Sequence, residues 1–132
     1  ITKRLGIGYV RFSVQDHFAP DASMVDHFIH FVKSLPENTW LHFHCRGGRG
    51  RTSTFMLMYD MIKNHAYLAK EDFFIRQVLL GGKDLNKPSK KHKSLELAAQ
   101  NRQNFIHHFY DYMMASDGYK QQEWSRWLKT HP

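Results

Sequence analysis

A glycine-rich turn that carries the chain's single cysteine constrains the fold more than any other feature. Residues 44–52 read HCRGGRGRT; β-favouring residues precede them and an apolar helical pattern follows them. The glycines free the backbone to curl, so that successive N–H groups can point inward and bind an anion. The positive end of the following helix adds to this field. The pattern predicts a strand, a phosphate-binding turn (residues 45–51, the Cys loop) and a helix, in that order.

The residue types in the Cys loop fit a nucleophilic cysteine better than a buried structural one. An electropositive turn lowers the pKa of a thiol, and the resulting thiolate of Cys45 can attack phosphorus and form a cysteinyl-phosphate. Arg51 can bind two phosphate oxygens with its planar guanidinium, and Thr52 can donate to the sulfur as it leaves. The spacing His-Cys-x5-Arg-Thr therefore predicts a cysteine-dependent phosphatase. The residues that would surround the phosphate are Arg46, Gly47, Gly48, Arg49 and Gly50.

A second catalytic group is expected, because a phosphate ester loses its leaving oxygen efficiently only when that oxygen is protonated. Asp16 is the candidate, since it lies in the turn that follows the first predicted strand (residues 15–20, the acid loop). From the residues alone, an ordinary turn aspartate is an equally good interpretation. Asp21 and Asp26 compete for the role, but both look helical, with capping or solvated positions.

The order of predicted elements is that of an α/β domain with parallel strands flanked by helices. Two strands alone would leave much of the central helix uncovered, and the chain begins with Ile rather than Met. Residues 1–132 are therefore expected to form a catalytic domain that lacks its N-terminal portion. Strands are predicted over 7–14 and 39–44, and helices over about 21–35, 51–64, 70–80, 94–115 (ended by Gly118) and 124–128.

The amino-acid composition limits the classes of binding partner that the chain can have. The formal net charge is +7, which favours a polyanion such as nucleic acid, a membrane surface or a heavily phosphorylated small molecule. No apolar run approaches the roughly 20 residues of a membrane span. A single cysteine excludes an intrachain disulfide, and the ten histidines complete no ligand set, so neither a metal nor a cofactor is predicted.

Several short motifs outside the Cys loop carry a resemblance to a known family. Residues 40–45 read WLHFHC and run directly into the loop, while residues 124–129 read WSRWLK. With these motifs the chain resembles the bacterial cysteine phytases, which are protein-tyrosine-phosphatase-like inositol polyphosphatases, from about Tyr9 to Pro132. The other matching positions are Asp16-His17 with Pro20, Lys33–Pro36, Phe55-Met56, Tyr59–Met61, Arg76-Gln77, Gly81-Gly82 and Asp117–Tyr119.

The resemblance implies the C-terminal part of a protein-tyrosine-phosphatase-like fold and hydrolysis of phosphate monoesters from inositol polyphosphates such as phytate. It implies that Cys45 is the nucleophile, Arg51 the phosphate-binding arginine and Asp16 the general acid, with His17 touching the substrate. It also implies a bacterial protein that is secreted, periplasmic or an effector. The family's basic pocket carries over by charge alone, to Lys83, Lys87, Lys90 and Lys91.

Two loop positions depart from this family, because Arg46 and Arg49 stand where related proteins often carry acidic or apolar residues. The same chemistry on phosphotyrosine, dual-specificity or phosphoinositide substrates remains an alternative, as does a pseudophosphatase that binds phosphate without turnover. A nucleic-acid partner is not predicted, because the aromatic residues follow an apolar period instead of alternating with the basic ones. The sequence leaves the oligomeric state open.

Overall fold

The computed structural model describes residues 2–87, 93–115 and 122–132, with backbone alone at residues 2, 3, 93 and 94. After a 3-10 turn at Thr2–Leu5, these residues form five helices, which confirm the predicted helices to within about one residue at each end. The predicted break at Gly118 lies outside the described residues. The helices are α1 (Ala22–Ser34), α2 (Gly50–Asn64), α3 (Lys70–Leu79), α4 (Lys93–Met114) and α5 (Trp124–Trp127).

Helix α1 begins where the sequence predicts, because Asp21 caps it. The Asp21 Oδ1 atom accepts a hydrogen bond from the Met24 N–H at 2.8 Å, which satisfies a free donor of the first turn. Asp26 lies further along the helix, and its carboxylate oxygens each lie 3.3 Å from the Ser125 backbone N–H at the start of α5. Both aspartates that compete with Asp16 for the role of acid therefore have structural partners.

Helix α2 is the central helix, and its N-terminus follows the Cys loop directly. Leu57, Met58 and Met61 are fully buried, and α3 and α4 both pack against it. Arg76 of α3 pairs with Asp60 of α2 through two contacts, Nε to Oδ2 at 3.0 Å and a terminal nitrogen to Oδ1 at 3.1 Å. This packing fixes α2, and with it the position of the loop that precedes the helix.

The two predicted strands are not observed among the described residues. Residues 7–14 and 39–44 form no regular secondary structure, and no backbone hydrogen bond joins one segment to the other. A strand is defined by its ladder with a neighbouring strand, and an alternating side-chain pattern does not supply that neighbour. The alternation itself is present: Phe12 and Val14 are half-buried against the core, whereas Trp40 is 97% exposed. The described residues therefore do not show the predicted parallel sheet.

Aromatic side chains of α4 and α5 pack against one another. The Trp124 ring lies 5.7 Å from the rings of Phe105 and Phe109 and 5.4 Å from that of Tyr112, all on α4. Trp124 and Trp127 are both buried and pack into the core. Within the described ranges, no helix is long and apolar enough to cross a membrane.

Candidate active site

The Cys loop turns its backbone N–H groups toward the sulfur of Cys45. Gly48 has a left-handed φ of +61°, which favours glycine, and its N–H donates to the Cys45 carbonyl oxygen at 3.4 Å. The backbone N–H groups of Gly47, Arg49 and Thr52 hydrogen-bond to the thiol of Cys45. This convergence of donors on the sulfur is the geometry expected of an anion nest.

These donors make Cys45 a thiolate near neutral pH. Partial burial raises the pKa of the thiol, but hydrogen bonds from the Thr52 side chain and from the loop N–H groups outweigh it and lower the pKa to about 6. By distance and angle the buried Thr52 hydroxyl has no hydrogen-bond partner among the described residues, so its proton is not committed to another acceptor. The assignment of Thr52 as the donor to the departing sulfur stays a prediction.

The alkylation rate of Cys45 should follow this low pKa. With iodoacetamide, the rate should rise with pH and reach half its maximum near pH 6, since the thiolate is the reactive form. Thr52→Ala removes a donor to the sulfur and should move the midpoint upward, toward the ordinary thiol value. Thr54→Ala is the matched control, because the Thr54 hydroxyl donates to the Gly50 carbonyl instead. A wild-type midpoint near that of a free thiol would contradict the assignment.

Asp16 and Arg51 form an ion pair that joins the acid loop to the Cys loop. One guanidinium nitrogen of Arg51 lies 2.9 Å from Asp16 Oδ1, and the other donates to the Val14 carbonyl at 3.3 Å. Asp16 is mostly exposed and Arg51 is mostly covered. The Asp16 carboxylate is therefore open to solvent at the point where the acid loop meets the Cys loop.

His17 adopts a conformation that non-glycine residues rarely use. Its φ is +71°, its N–H donates to Asp16 Oδ1 at 3.1 Å, and its ring Nε2 lies 3.7 Å from Asp16 Oδ2. The strained backbone turns the acid loop immediately after Asp16. The structure thus brings the predicted residues Cys45, Arg51, Asp16 and His17 to one end of α2.

The predicted lysines separate into two groups. The Lys83 N–H donates to Ser53 Oγ at 2.8 Å in the first turn of α2, and burial, then Arg102 and Arg49, lower the pKa of the Lys83 side chain. Lys87 is 81% exposed and pairs with Asp84 at 3.2 Å. Lys90 and Lys91 lie outside the described residues. Of the two described lysines, Lys83 is the one that adds a cation beside the Cys loop.

Arg102 of α4 is a site residue that the sequence analysis did not identify. Its side chain is 3% exposed, and a terminal guanidinium nitrogen donates to the His17 carbonyl oxygen. One sequence signal could have found it, because Arg102 falls on the apolar face of α4 with Ala98, Phe105 and Phe109. A cation at a core position requires nearby partners, and here they lie at the acid loop.

Arg102 also gives Gly50 a different role from the predicted one. Gly50 does not have a left-handed φ, so the loop does not need its conformational freedom. A Cβ atom at Gly50 would instead lie 2.6 Å from a terminal nitrogen of Arg102 and 3.0 Å from its central carbon. A larger residue at position 50 would displace the guanidinium, which packs directly against the backbone at the start of α2.

Comparison with known proteins places the chain in a family. The family model for PTP-like phytases matches residues 1–63. The description of that family names inositol hexakisphosphate. Protein AvrBs1.1 of Xanthomonas campestris pv. campestris is 33% identical over 98 residues, which cover 73% of this chain and 94% of that protein. The chain belongs to the PTP-like phytase family.

Solved structures of the family superpose closely on this chain. The PTP-like myo-inositol phosphatase of Mitsuokella multacida, in complex with myo-inositol-(1,3,4,5)-tetrakisphosphate, is 41% identical with a TM-score of 0.91, over 98% of this chain and 22% of that one. A PTP-like phytase of Bdellovibrio bacteriovorus is 39% identical with a TM-score of 0.87, over 96% of this chain and 49% of that one. The described helices therefore have the arrangement of the matching part of these phytases.

A curated relative with a biological role in its name is also similar along most of this chain. Effector protein hopD2 of Pseudomonas syringae pv. tomato is 29% identical over 132 residues, which cover 96% of this chain and 28% of that protein. The chain thus spans about a quarter of the length of this effector and of the Mitsuokella enzyme, but nearly all of AvrBs1.1.

Proposed function

We propose that this chain carries the catalytic loop of a phosphatase that hydrolyses phosphate monoesters of inositol polyphosphates through a cysteinyl-phosphate on Cys45. The observation that carries the proposal is the half-buried thiol, whose pKa the surrounding donors lower to about 6 beside the Arg51–Asp16 pair. Phosphoryl transfer from an ester to sulfur needs a thiolate, a cation that binds two phosphate oxygens and a carboxyl group. All three groups lie at one end of the same helix.

In the first step, the Cys45 thiolate attacks phosphorus and the ester oxygen departs. The loop N–H groups and Arg51 bind the three non-bridging oxygens, and their contacts persist as charge develops in the transition state. Asp16 donates a proton to the leaving oxygen, because an inositol alkoxide is otherwise a poor leaving group. In the second step, Asp16 takes a proton from water, the water oxygen attacks phosphorus, and Thr52 donates a hydrogen bond to the departing sulfur.

The Arg51–Asp16 ion pair implies that substrate binding precedes release of the Asp16 carboxyl group. A phosphate bound in the fork geometry would share with Asp16 the Arg51 nitrogen that lies 2.9 Å from the carboxylate, and each anion would weaken the contact of the other. A bound phosphate therefore competes with Asp16 for Arg51. Substrate binding releases the carboxyl group and allows it to carry the proton that the leaving oxygen requires.

The charge around the nest supports a polyphosphate in preference to a singly phosphorylated substrate. Arg46 and Arg49 are exposed in the loop itself, and Lys83 lies close enough to Arg49 for its pKa to be lowered by that cation. A ring with several phosphates can neutralise this like-charge repulsion, whereas a single phosphate in the nest cannot reach it. The family match and the inositol tetrakisphosphate in the Mitsuokella complex support the same substrate class.

The rest of the domain is inferred from what the described residues leave unpaired. Residues 7–14 and 39–44 have alternating half-buried side chains but no regular secondary structure and no ladder between them. We infer that both segments become parallel strands when a further portion of the catalytic domain supplies their neighbours. The effector named among the relatives supports a secreted or effector protein.

Substrate preference tests the proposal. At moderate salt, the complete natural protein should hydrolyse inositol hexakisphosphate with a kcat/KM at least about tenfold above that of a phosphotyrosine peptide, since one added ion pair of about 1.4 kcal/mol gives tenfold. Lys83→Gln should raise KM for the inositol substrate several-fold. Lys87→Gln is the matched control and should have little effect, because Lys87 pairs with Asp84. Faster turnover of the peptide would refute the proposed substrate class.

A further inference from the structure

Two consecutive residues of α4 hold the acid loop by its backbone. A terminal nitrogen of Arg102 donates to the His17 carbonyl oxygen, and Asn101 Oδ1 accepts from the Ala19 N–H at 3.2 Å. The two contacts lie on either side of Phe18, immediately after Asp16. Because both bonds are to the main chain, they fix the course of the loop whatever the conformation of its side chains.

The environment of Arg102 shows that it is more than a surface residue that reaches a nearby carbonyl. Its side chain is buried, its guanidinium packs against Gly50 of the Cys loop, and its Nε atom has no hydrogen-bond partner among the described residues. A buried cation with an unpaired donor costs stability, and an apolar residue would fill the same space at lower cost. Its retention in the core is consistent with a function at the loops that it touches.

The charged groups around Arg102 are those of the proposed reaction. Burial is the main influence on the pKa of Arg102 and lowers it; Asp16 raises it, Arg51 lowers it and Cys45 raises it. Arginine nonetheless remains a cation at neutral pH. Arg102 therefore lies close enough to both anionic groups to interact with them electrostatically, from the protein side of the site.

We propose that Arg102 is a positioning residue that holds the acid loop against the Cys loop, so that Asp16 faces the leaving oxygen of the substrate. The proposal rests on the proposed phosphatase function. Arg102 bridges the two loops physically, through the His17 carbonyl on one side and Gly50 on the other. Its bond to His17 also holds the residue whose left-handed backbone directs the loop. Asn101 is the second anchor of the same clamp.

A double-mutant cycle with Asp16 separates positioning from general destabilisation. In the complete protein, Arg102→Gln should lower kcat/KM for inositol hexakisphosphate by about 10- to 100-fold, part of what a general acid contributes, and change kcat/KM for an activated aryl phosphate by less than about threefold, since kcat/KM reports only the steps up to departure of the leaving group. In the Asp16→Asn background, Arg102→Gln should have little further effect on the inositol substrate, because it acts through Asp16. Arg126→Gln, which removes an exposed arginine, is the charge-matched control.

Equal losses on the two substrates, or an undiminished loss in the Asp16→Asn background, would overturn the proposal. If Arg102→Gln does not fold, Asn101→Ala replaces it in the same cycle, because Asn101 is exposed and holds the same loop at Ala19. The expected pattern is the same with a smaller loss, and an equal effect on both substrates again contradicts positioning.

A measurement without turnover distinguishes failure of this inference from failure of the proposed function. Amide hydrogen exchange in residues 15–20 should be faster in Arg102→Gln or Asn101→Ala than in the wild type, while exchange in the buried centre of α2 is unchanged. Unchanged exchange in the acid loop would overturn the clamp even if the wild type is an active phosphatase. If the variants exchange faster but the wild type hydrolyses no phosphate ester, the clamp is retained. The proposed function, on which its catalytic role rests, is then refuted.

Discussion

Cys45→Ser is expected to abolish turnover of every phosphate ester while leaving phosphate binding intact. A serine hydroxyl remains protonated where the thiol, with a pKa of about 6, is largely ionised, so the nucleophile is lost but the loop N–H groups are not. Loss of a covalent nucleophile typically costs roughly 10⁴-fold or more in kcat. Phosphate release from inositol hexakisphosphate and the dissociation constant for a slowly hydrolysed inositol phosphate are the two measurements.

The matched control for Cys45→Ser is Thr54→Ala, which also changes a small side chain near the start of α2. The Thr54 hydroxyl bonds to the Gly50 carbonyl and does not contact the sulfur, so its loss should leave most of the activity in place. Residual turnover by Cys45→Ser above about one-hundredth of the wild-type rate would contradict the nucleophile assignment, since a serine without an adjacent base does not sustain such rates.

Asp16→Asn is expected to slow hydrolysis in proportion to how poorly the leaving group departs. For inositol hexakisphosphate, kcat should fall by about 10²- to 10⁴-fold, the usual contribution of a general acid. For an activated aryl phosphate the loss in the first step should be small, because an aryloxide leaves without a proton. Rates for a series of aryl phosphates with graded leaving-group pKa values measure this dependence as a slope, which should be steeper in the variant.

Asp21→Asn is the control for this experiment, because it makes the same change just beyond the acid loop. Asp21 caps α1 through the Met24 N–H, and asparagine caps a helix about as well, so stability and activity should both be preserved. An equal loss of kcat/KM, which reports only the first step, on good and poor leaving groups in Asp16→Asn would indicate that Asp16 serves mainly as the ion-pair partner of Arg51 and not as the acid.

Local sequence rules predicted the helices and the centre of the site. The Asp21 cap, the apolar stripe of α1 and the glycines before α2 are signals written within a few consecutive residues, and the structure has them at those positions. The chemistry that a phosphate ester requires made Asp16 a candidate for the acid, and the family resemblance favoured it over an ordinary turn aspartate. The ion pair of Asp16 with Arg51, 35 positions away, was not predicted.

The features that were not predicted are those that depend on distant parts of the chain. A strand needs a neighbour, and the alternation in residues 39–44 does not reveal where that neighbour lies. The role of Gly50 depends on Arg102, a residue more than fifty positions later whose guanidinium occupies the space of a Cβ atom. Arg102 itself appears in the sequence as one of many cations, and its burial is a property of how α4 packs against the two loops.

Direct detection of the phosphorylated enzyme tests the central claim most directly. Asp16→Asn should accumulate the intermediate with an activated aryl phosphate, because the first step needs no acid there while the second lacks its base. After rapid acid quench and proteolysis, mass spectrometry should find one phosphoryl group on the peptide that contains Cys45, and none in the Cys45→Ser/Asp16→Asn double variant. A quenched enzyme that turns over the substrate without phosphorylation at Cys45, or with phosphorylation at another residue, would contradict the account.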